Sequence, residues 1–153
     1  MGDTLKKWRC GEIYNRLYFT SHQNDEHTLF EINKNKSYFY FSTDIHETYN
    51  SYCLDFCPIN IYGILRFNKA IQDKINDPRL KNRKIIYYCG NNEIDRTNVA
   101  LLLSCYLLIV HNFTPENAIL PFKNILLFSF LTYRDASYNI QDCDISIEDC
   151  LHP

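Results

Sequence analysis

Residues 84–110 constrain this chain more than any other stretch. Lys84-Ile85-Ile86-Tyr87-Tyr88 is a short run of β-branched and aromatic residues, the following segment to Arg96 is polar, and Val99 to Val110 is apolar almost throughout. The stretch reads as a buried strand from Lys84 to Tyr88, a loop holding Cys89 and Arg96, and a buried helix from about Arg96 to His111. A helix that is apolar on nearly every side must pack centrally, here against the sheet that the strand belongs to.

The rest of the chain supplies partners for that unit. Arg16-Leu17-Tyr18-Phe19-Thr20 and Ser37-Tyr38-Phe39-Tyr40-Phe41-Ser42 read as short aromatic strands, with His22 to Lys36 as a loop or hairpin between them. Alternation would send Phe39 and Phe41 to one face and Tyr38 and Tyr40 to the other, which suits a strand buried on both sides. Tyr49 to Phe56 reads as a further strand, and Pro58 suits the first turn of a helix running from Ile59 to Ile75 that Asp77-Pro78-Arg79 ends. Thr114-Pro115-Glu116 has the grammar of a helix start, and Pro121 predicts a kink or an end before Leu126. His111, at the end of the central helix, reads as a residue compatible with the helix dipole, and Ile145 to Leu151 as part of a polar tail. The order predicts an α/β fold: a small central sheet with helices packed on it, in a single domain over residues 1–153.

Composition narrows the class of function. With 153 residues, 46% of them hydrophobic and including 12 Tyr and 10 Phe, the chain has material for one real core. Its formal charge of −2 and the lack of a basic stripe argue against a nucleic-acid binder. The clusters Lys6-Lys7-Arg9 and Arg79 to Lys84 read as solvated faces. Seven cysteines, an odd number, with no apolar leader predict a reduced, intracellular protein of the cytoplasm or nucleus. The run Val99 to Val110 is too short to span a membrane. Cys53-x3-Cys57 and Cys143-x6-Cys150 lack the close spacing of structural zinc sites and no H-E-x-x-H is present, so neither a metal nor a cofactor is expected.

The strand–loop–helix unit has the layout of a cysteine phosphatase's phosphate-binding loop, with its chemistry altered. Such a loop needs a nucleophilic thiolate, amides that cradle phosphate, an arginine that clamps two oxygens, and no competing anions. Here six residues separate Cys89 from Arg96 where such loops have five, and two of the six are Glu93 and Asp95. Both carboxylates disfavour a thiolate and repel a phosphate dianion. Tyr88 stands where a histidine would fix the loop, and the nearest candidate for a general acid is Asp55. Two readings of each residue stay open. Cys89 is a buried small hydrophobe or a nucleophile; Arg96 holds the loop closed through Glu93 or Asp95, or clamps phosphate; Thr97 or Asp95 caps the helix, or Thr97 donates to the cysteine or leaving group.

Five segments in register resemble a known family. They are Arg16-Leu17-Tyr18-Phe19, Tyr52 to Asn60, Tyr87-Tyr88-Cys89 through Arg96-Thr97-Asn98-Val99-Ala100, Thr114-Pro115-Glu116, and Tyr133-Arg134-Asp135-Ala136-Ser137 with Ile147 to Leu151. Together they look like the N-terminal domain of the cell-division-cycle dual-specificity phosphatases, over about Glu12 to Leu151. Two departures stand out: Cys57 replaces the usual glycine before Pro58, and Phe122 to Thr132 is more apolar than the family's link, as core or as a docking face.

The resemblance implies a phosphatase-like domain that has lost catalysis and works beside a downstream catalytic domain in cis, in an enzyme acting on phosphoserine-proline sites. It also implies that the chain is a piece of a longer enzyme or a naturally short product. In the first reading the domain supports the catalytic domain and shapes its phosphopeptide groove. Asn91, Glu93, Asp95, Arg134 and Asp135 then belong to the groove or interface and prefer basic residues in the substrate. In the second the chain is a minimal phosphatase using Cys89 and Arg96, with Thr97 and Asp55 assisting. In the third, Phe122 to Leu131 mediates self-association.

Overall fold

The computed structural model describes residues 11–22, 34, 36–42, 60–90, 93–125 and 145–152. Among these, four strands and four α-helices make a mixed α/β fold with helices packed on a small sheet. The strands are β1 (Gly11–Tyr14), β2 (Leu17–His22), β3 (Tyr38–Phe41) and β4 (Lys84–Gly90); the helices are α1 (Ile61–Ile75), α2 (Glu93–Val110), α3 (Pro115–Ile125) and α4 (Ile147–Leu151). Sheet order is β1-β2-β4-β3, with β1 antiparallel to β2 and β4 parallel to both of its neighbours.

Burial explains why β4 is central. Ile85, Ile86 and Tyr87 are fully buried, so both faces of the strand are covered, as expected of a parallel strand between two others. The register puts Leu17, Phe19, Phe39, Phe41, Ile85, Tyr87 and Cys89 on one face. There Tyr87 meets Phe41 and Phe67 edge-on, each with ring centroids 5.2 Å apart. Tyr38 and Tyr40 share the opposite face with Lys84, whose ammonium lies over the Tyr18 and Tyr38 rings at 5.3 and 5.8 Å. The alternation expected of Phe39/Phe41 and Tyr38/Tyr40 is therefore the observed one.

Helix α2 is the hub of the helical layer, packing on α1, α3, α4 and β4. Most of it is buried, from Asp95 to Leu107 with few interruptions. Helix α1 starts later than the sequence suggested: Asn60 is the N-cap, its Oδ1 accepting from Gly63 N at 2.9 Å. Asp77 then caps a separate 3-10 turn at Pro78–Leu80. Helix α3 is capped by Thr114, whose hydroxyl accepts from Asn117 N at 3.3 Å. It runs through Pro121 to Ile125, the last described residue of that stretch, so no break falls at Pro121 itself. Phe122 lies wholly in the core, 5.9 Å from the Phe19 ring, so that part of the apolar segment is core; residues 126–132 lie outside the described residues.

Three sequence readings need correction here. Gly11–Tyr14 is a strand the sequence reading passed over. Residues 147–151, read as polar tail, form a helix closed by a capping box, Ser146 Oγ accepting from Asp149 N at 3.1 Å while Ser146 N donates to Asp149 Oδ2 at 2.9 Å. Ile147 and Leu151 anchor it in the core. His111 is a packing residue rather than a cation on the helix dipole. Its Nε2 lies 3.1 Å from the Tyr106 hydroxyl, its ring 4.4 Å from that of Tyr14, and burial lowers its pKa toward the neutral form. The Tyr49–Phe56 strand and most of the His22–Lys36 segment lie outside the described residues.

The β1–β2 hairpin turns on Asn15 and Arg16, both at positive φ, 33° and 66°. Asn tolerates this; arginine does so at about 1 kcal/mol or more. What holds Arg16 there is its guanidinium, which donates to four carbonyls: Leu80 (2.9 Å), Lys81 (2.6 Å), Arg83 (3.3 Å) and Ile75 (2.8 Å). These carbonyls lie at the end of α1 and around the 3-10 turn, and that of Leu80 also accepts from Arg83 N at 2.9 Å. Arg16→Ala is expected to destabilise the protein by about 2 kcal/mol or more, since charged hydrogen bonds are lost and carbonyls orphaned. Arg16→Gly relieves the turn yet still loses the clamp, so urea denaturation must find it less stable than wild type; a stabilised Gly variant would disprove the clamp.

Candidate functional site

The site expected from the sequence sits where β4 leads into α2. The strand does not stop at Tyr88: Cys89 and Gly90 continue the ladder, in register with Ser21 and His22 of β2. The helix begins at Glu93, three residues before Arg96. Only Asn91 and Asn92 lie between the two elements, and both fall outside the described residues. The segment from Cys89 to Arg96 is thus mostly strand end and helix start.

This geometry redistributes the candidate residues. Glu93 and Asp95 both occupy the first turn of α2, where carboxylates favour the helix dipole. Glu93 is exposed and, among the described residues, makes no ion pair, so it does not hold Arg96 as the sequence suggested. Asp95 and Arg96 are each only 8% exposed. Neither Asp95 nor Thr97 is the N-cap, because both lie inside the helix. Thr97 is fully buried, and its hydroxyl proton goes to the Glu93 carbonyl oxygen at 2.7 Å, one turn back. Asp55, Asn91, Arg134 and Asp135 lie outside the described residues.

Cys89 itself is 5% exposed and belongs to the hydrophobic core cluster. Its thiol pKa is pushed up to about 12: burial is the dominant cause, a hydrogen bond with Ser21 opposes it, Asp95 raises it further and Arg96 lowers it. Ser21 was not singled out from sequence. Its signal is non-local, since only the parallel register of β2 on β4 sets it beside Cys89. The structure thus brings Cys89, Ser21, Asp95 and Arg96 together, around a neutral thiol. Among the described residues no group of three His, Cys, Asp or Glu side chains could hold a metal ion, and no helix is long and apolar enough to cross a membrane.

The small sheet with helices packed on it, and the segment from Cys89 to Arg96 between strand and helix, suit a phosphatase-like domain, and the sequence comparison makes the class specific. Residues 12–153 match the family described as dual specificity protein phosphatase, N-terminal half, and the chain belongs to that family. Its relatives include the tyrosine-protein phosphatase CDC14 of Saccharomyces cerevisiae, 34% identical over 68% of this chain and 19% of the relative. The CDC14 of Candida albicans is 28% identical over 92% of this chain and 24% of the relative, and the human dual specificity protein phosphatase CDC14C 31% over 74% and 25%. The chain therefore spans a quarter or less of these relatives, matching the N-terminal part of phosphatases that have a larger C-terminal part.

A thiol whose pKa is raised on folding favours the native state below its unfolded pKa and loses that contribution as pH rises toward the folded value. Stability should accordingly fall between about pH 9 and pH 12, and less so in Cys89→Ala. At pH 8, peptide mapping after iodoacetamide treatment should find Cys89 almost unlabelled in native protein and fully labelled in urea. Labelling of native Cys89 at the rate of an exposed thiol would disprove its burial.

Proposed function

We propose that this chain is a non-catalytic N-terminal domain of a dual-specificity protein phosphatase, supporting the catalytic domain in cis and shaping the groove that receives a phosphoserine-proline peptide. The observation that carries the reading is the state of Cys89: a desolvated, protonated thiol at the end of a paired strand, with Asp95 nearby disfavouring the thiolate. A nucleophilic thiolate needs the opposite environment. An approaching phosphate dianion would also meet the exposed Glu93 on the first turn of α2, with the buried Asp95 behind it, where an anion-binding helix would offer bare amides.

A surface suited to a partner domain supports the same reading. At the start of α1, Ile61, Tyr62 and Leu65 are 62%, 67% and 52% exposed, forming an apolar stripe on one helical face with Arg66 over the Tyr62 ring. A covering domain would remove that stripe from water. Of the residues assigned to an acidic groove wall, Glu93 is exposed and available, whereas Asp95 is withdrawn. Seven cysteines, an odd number, support the reading of an intracellular enzyme of the cytoplasm or nucleus, where they would stay reduced.

Two measurements test this. The chain alone should hydrolyse neither phosphotyrosine nor phosphoserine-proline peptides above the level of Cys89→Ser; cysteine-dependent turnover would establish the minimal-phosphatase reading instead. Residues 12–153 substituted for the matching segment of Candida albicans CDC14 should restore most of the peptide kcat/KM lost on deleting that segment. Equal kinetics with and without the segment would remove the supporting role. Ile61→Glu with Leu65→Glu in the chimera should lower kcat/KM without unfolding the domain itself.

A further inference from the structure

A second feature lies at the opposite end of β4 from Cys89, roughly 20 Å away by the rise of a seven-residue strand. Phe39, Lys74, Asp77, Arg79, Leu80 and Arg83 line an open depression of about 220 Å³. Three of the six are cations. Arg79 is committed to Asp77, its Nη2 donating to Oδ2 at 2.8 Å and its Nε to Oδ1 at 3.1 Å. Lys74 and Arg83 are both half-buried, and neither side chain has a carboxylate within 4 Å among the described residues. The Lys74 ammonium instead lies 5.4 Å from the centre of the Phe39 ring.

The Arg16 clamp explains how cations come together here. One guanidinium gathers the carbonyls of Ile75, Leu80, Lys81 and Arg83. Lys74, Arg79 and Arg83 sit at or beside those positions and so converge, although like charges repel. The lining sets three cations, Lys74, Arg79 and Arg83, against the one carboxylate of Asp77, which is hydrogen-bonded to Arg79 and feels Lys74, so the depression keeps a positive excess that favours an anion.

We propose that this depression docks an acidic protein segment, one that places carboxylate or phosphoryl oxygens on Lys74 and Arg83 and an apolar side chain on Phe39. Its size suits one or two side chains rather than a continuous polyanion. Asp77 within it and the chain's net charge of −2 work against nucleic acid, which binds through many phosphates at once. The site is independent of the Cys89 unit and of the role proposed for the domain.

The test is fluorescence anisotropy on the full chain with four labelled probes: a short glutamate peptide with a central leucine, the same peptide with phosphoserines for two glutamates, its lysine counterpart, and an oligothymidylate. Both acidic peptides are expected to bind, more weakly as salt rises, and the lysine peptide not at all. Tighter binding of the phosphoserine peptide assigns the site to phosphoryl groups; equal binding assigns it to carboxylates. Lys74→Glu with Arg83→Glu should weaken binding about tenfold or more. If that variant unfolds, Arg83→Ser decides, because the Arg83 carbonyl still serves Arg16; it should weaken binding several-fold with an unchanged melting temperature. No binding to either acidic peptide, binding unchanged in folded variants, or preference for the oligothymidylate would overturn the proposal.

Discussion

Removal of β4 from water is the constraint on which the described structure depends. Ile85, Ile86 and Tyr87 are excluded from solvent, and each such side chain contributes about 1.5–3 kcal/mol by its burial. That gain requires β2 and β3 on either edge and α2 over one face. Because only two residues separate Gly90 from the start of α2 at Glu93, the strand and the helix must stack directly. Cys89 lies at the junction and is buried as a consequence. Desolvation then raises its pKa more than Asp95 does. The raised pKa of the thiol thus follows first from packing and only second from the charges of the segment.

The same stacking needs its far end closed. A parallel strand entering the sheet after a helix must be brought back across it, and the return here is the run from Asn76 to Arg83. Arg16 fixes that return through four carbonyls while also turning the β1–β2 hairpin. A single side chain therefore ties the antiparallel edge of the sheet to the crossover feeding its centre. An arginine at positive φ is tolerable here because its guanidinium reaches four carbonyls through two nitrogens, Nη1 serving Leu80, Lys81 and Arg83 and Nη2 serving Ile75, a wider span than one ammonium covers.

What the sequence made legible was local and periodic. The β4–α2 pair, the two faces of β3 and the Thr114 cap all follow from patterns within a few residues. Element ends were less legible: α2 begins at Glu93 because Glu and Asp suit a first turn, a signal masked by the expectation of a loop before Arg96. Helix α4 carried a readable mark in Ser146-x-x-Asp149, overlooked among polar neighbours. Other features were beyond local reading. Strand β1 depends on a turn whose arginine no propensity favours, and Ser21 meets Cys89 only through a parallel register. The cluster Arg79 to Lys84 reads as a solvated face until the fold sets Arg79 and Arg83 beside Lys74 and Phe39.

The two ends of β4 therefore carry opposite electrostatic character for one mechanical reason. Toward Gly90 the strand hands over to a helix N-terminus whose positive partial charge is already met by Glu93 and Asp95, so little field is left for an incoming anion. Toward Lys84 the strand receives chain from the C-terminal end of a helix, where carbonyls gather and basic residues are favoured, and Lys74 sits in that last turn. The clamp absorbs the carbonyls into Arg16, so the cations there are not consumed by the dipole they accompany. In an active thiol phosphatase the anion-binding end is the C-terminal end of such a strand. Here Glu93 and Asp95 occupy the helical turn at that end, and Lys74, Arg79 and Arg83 gather at the other.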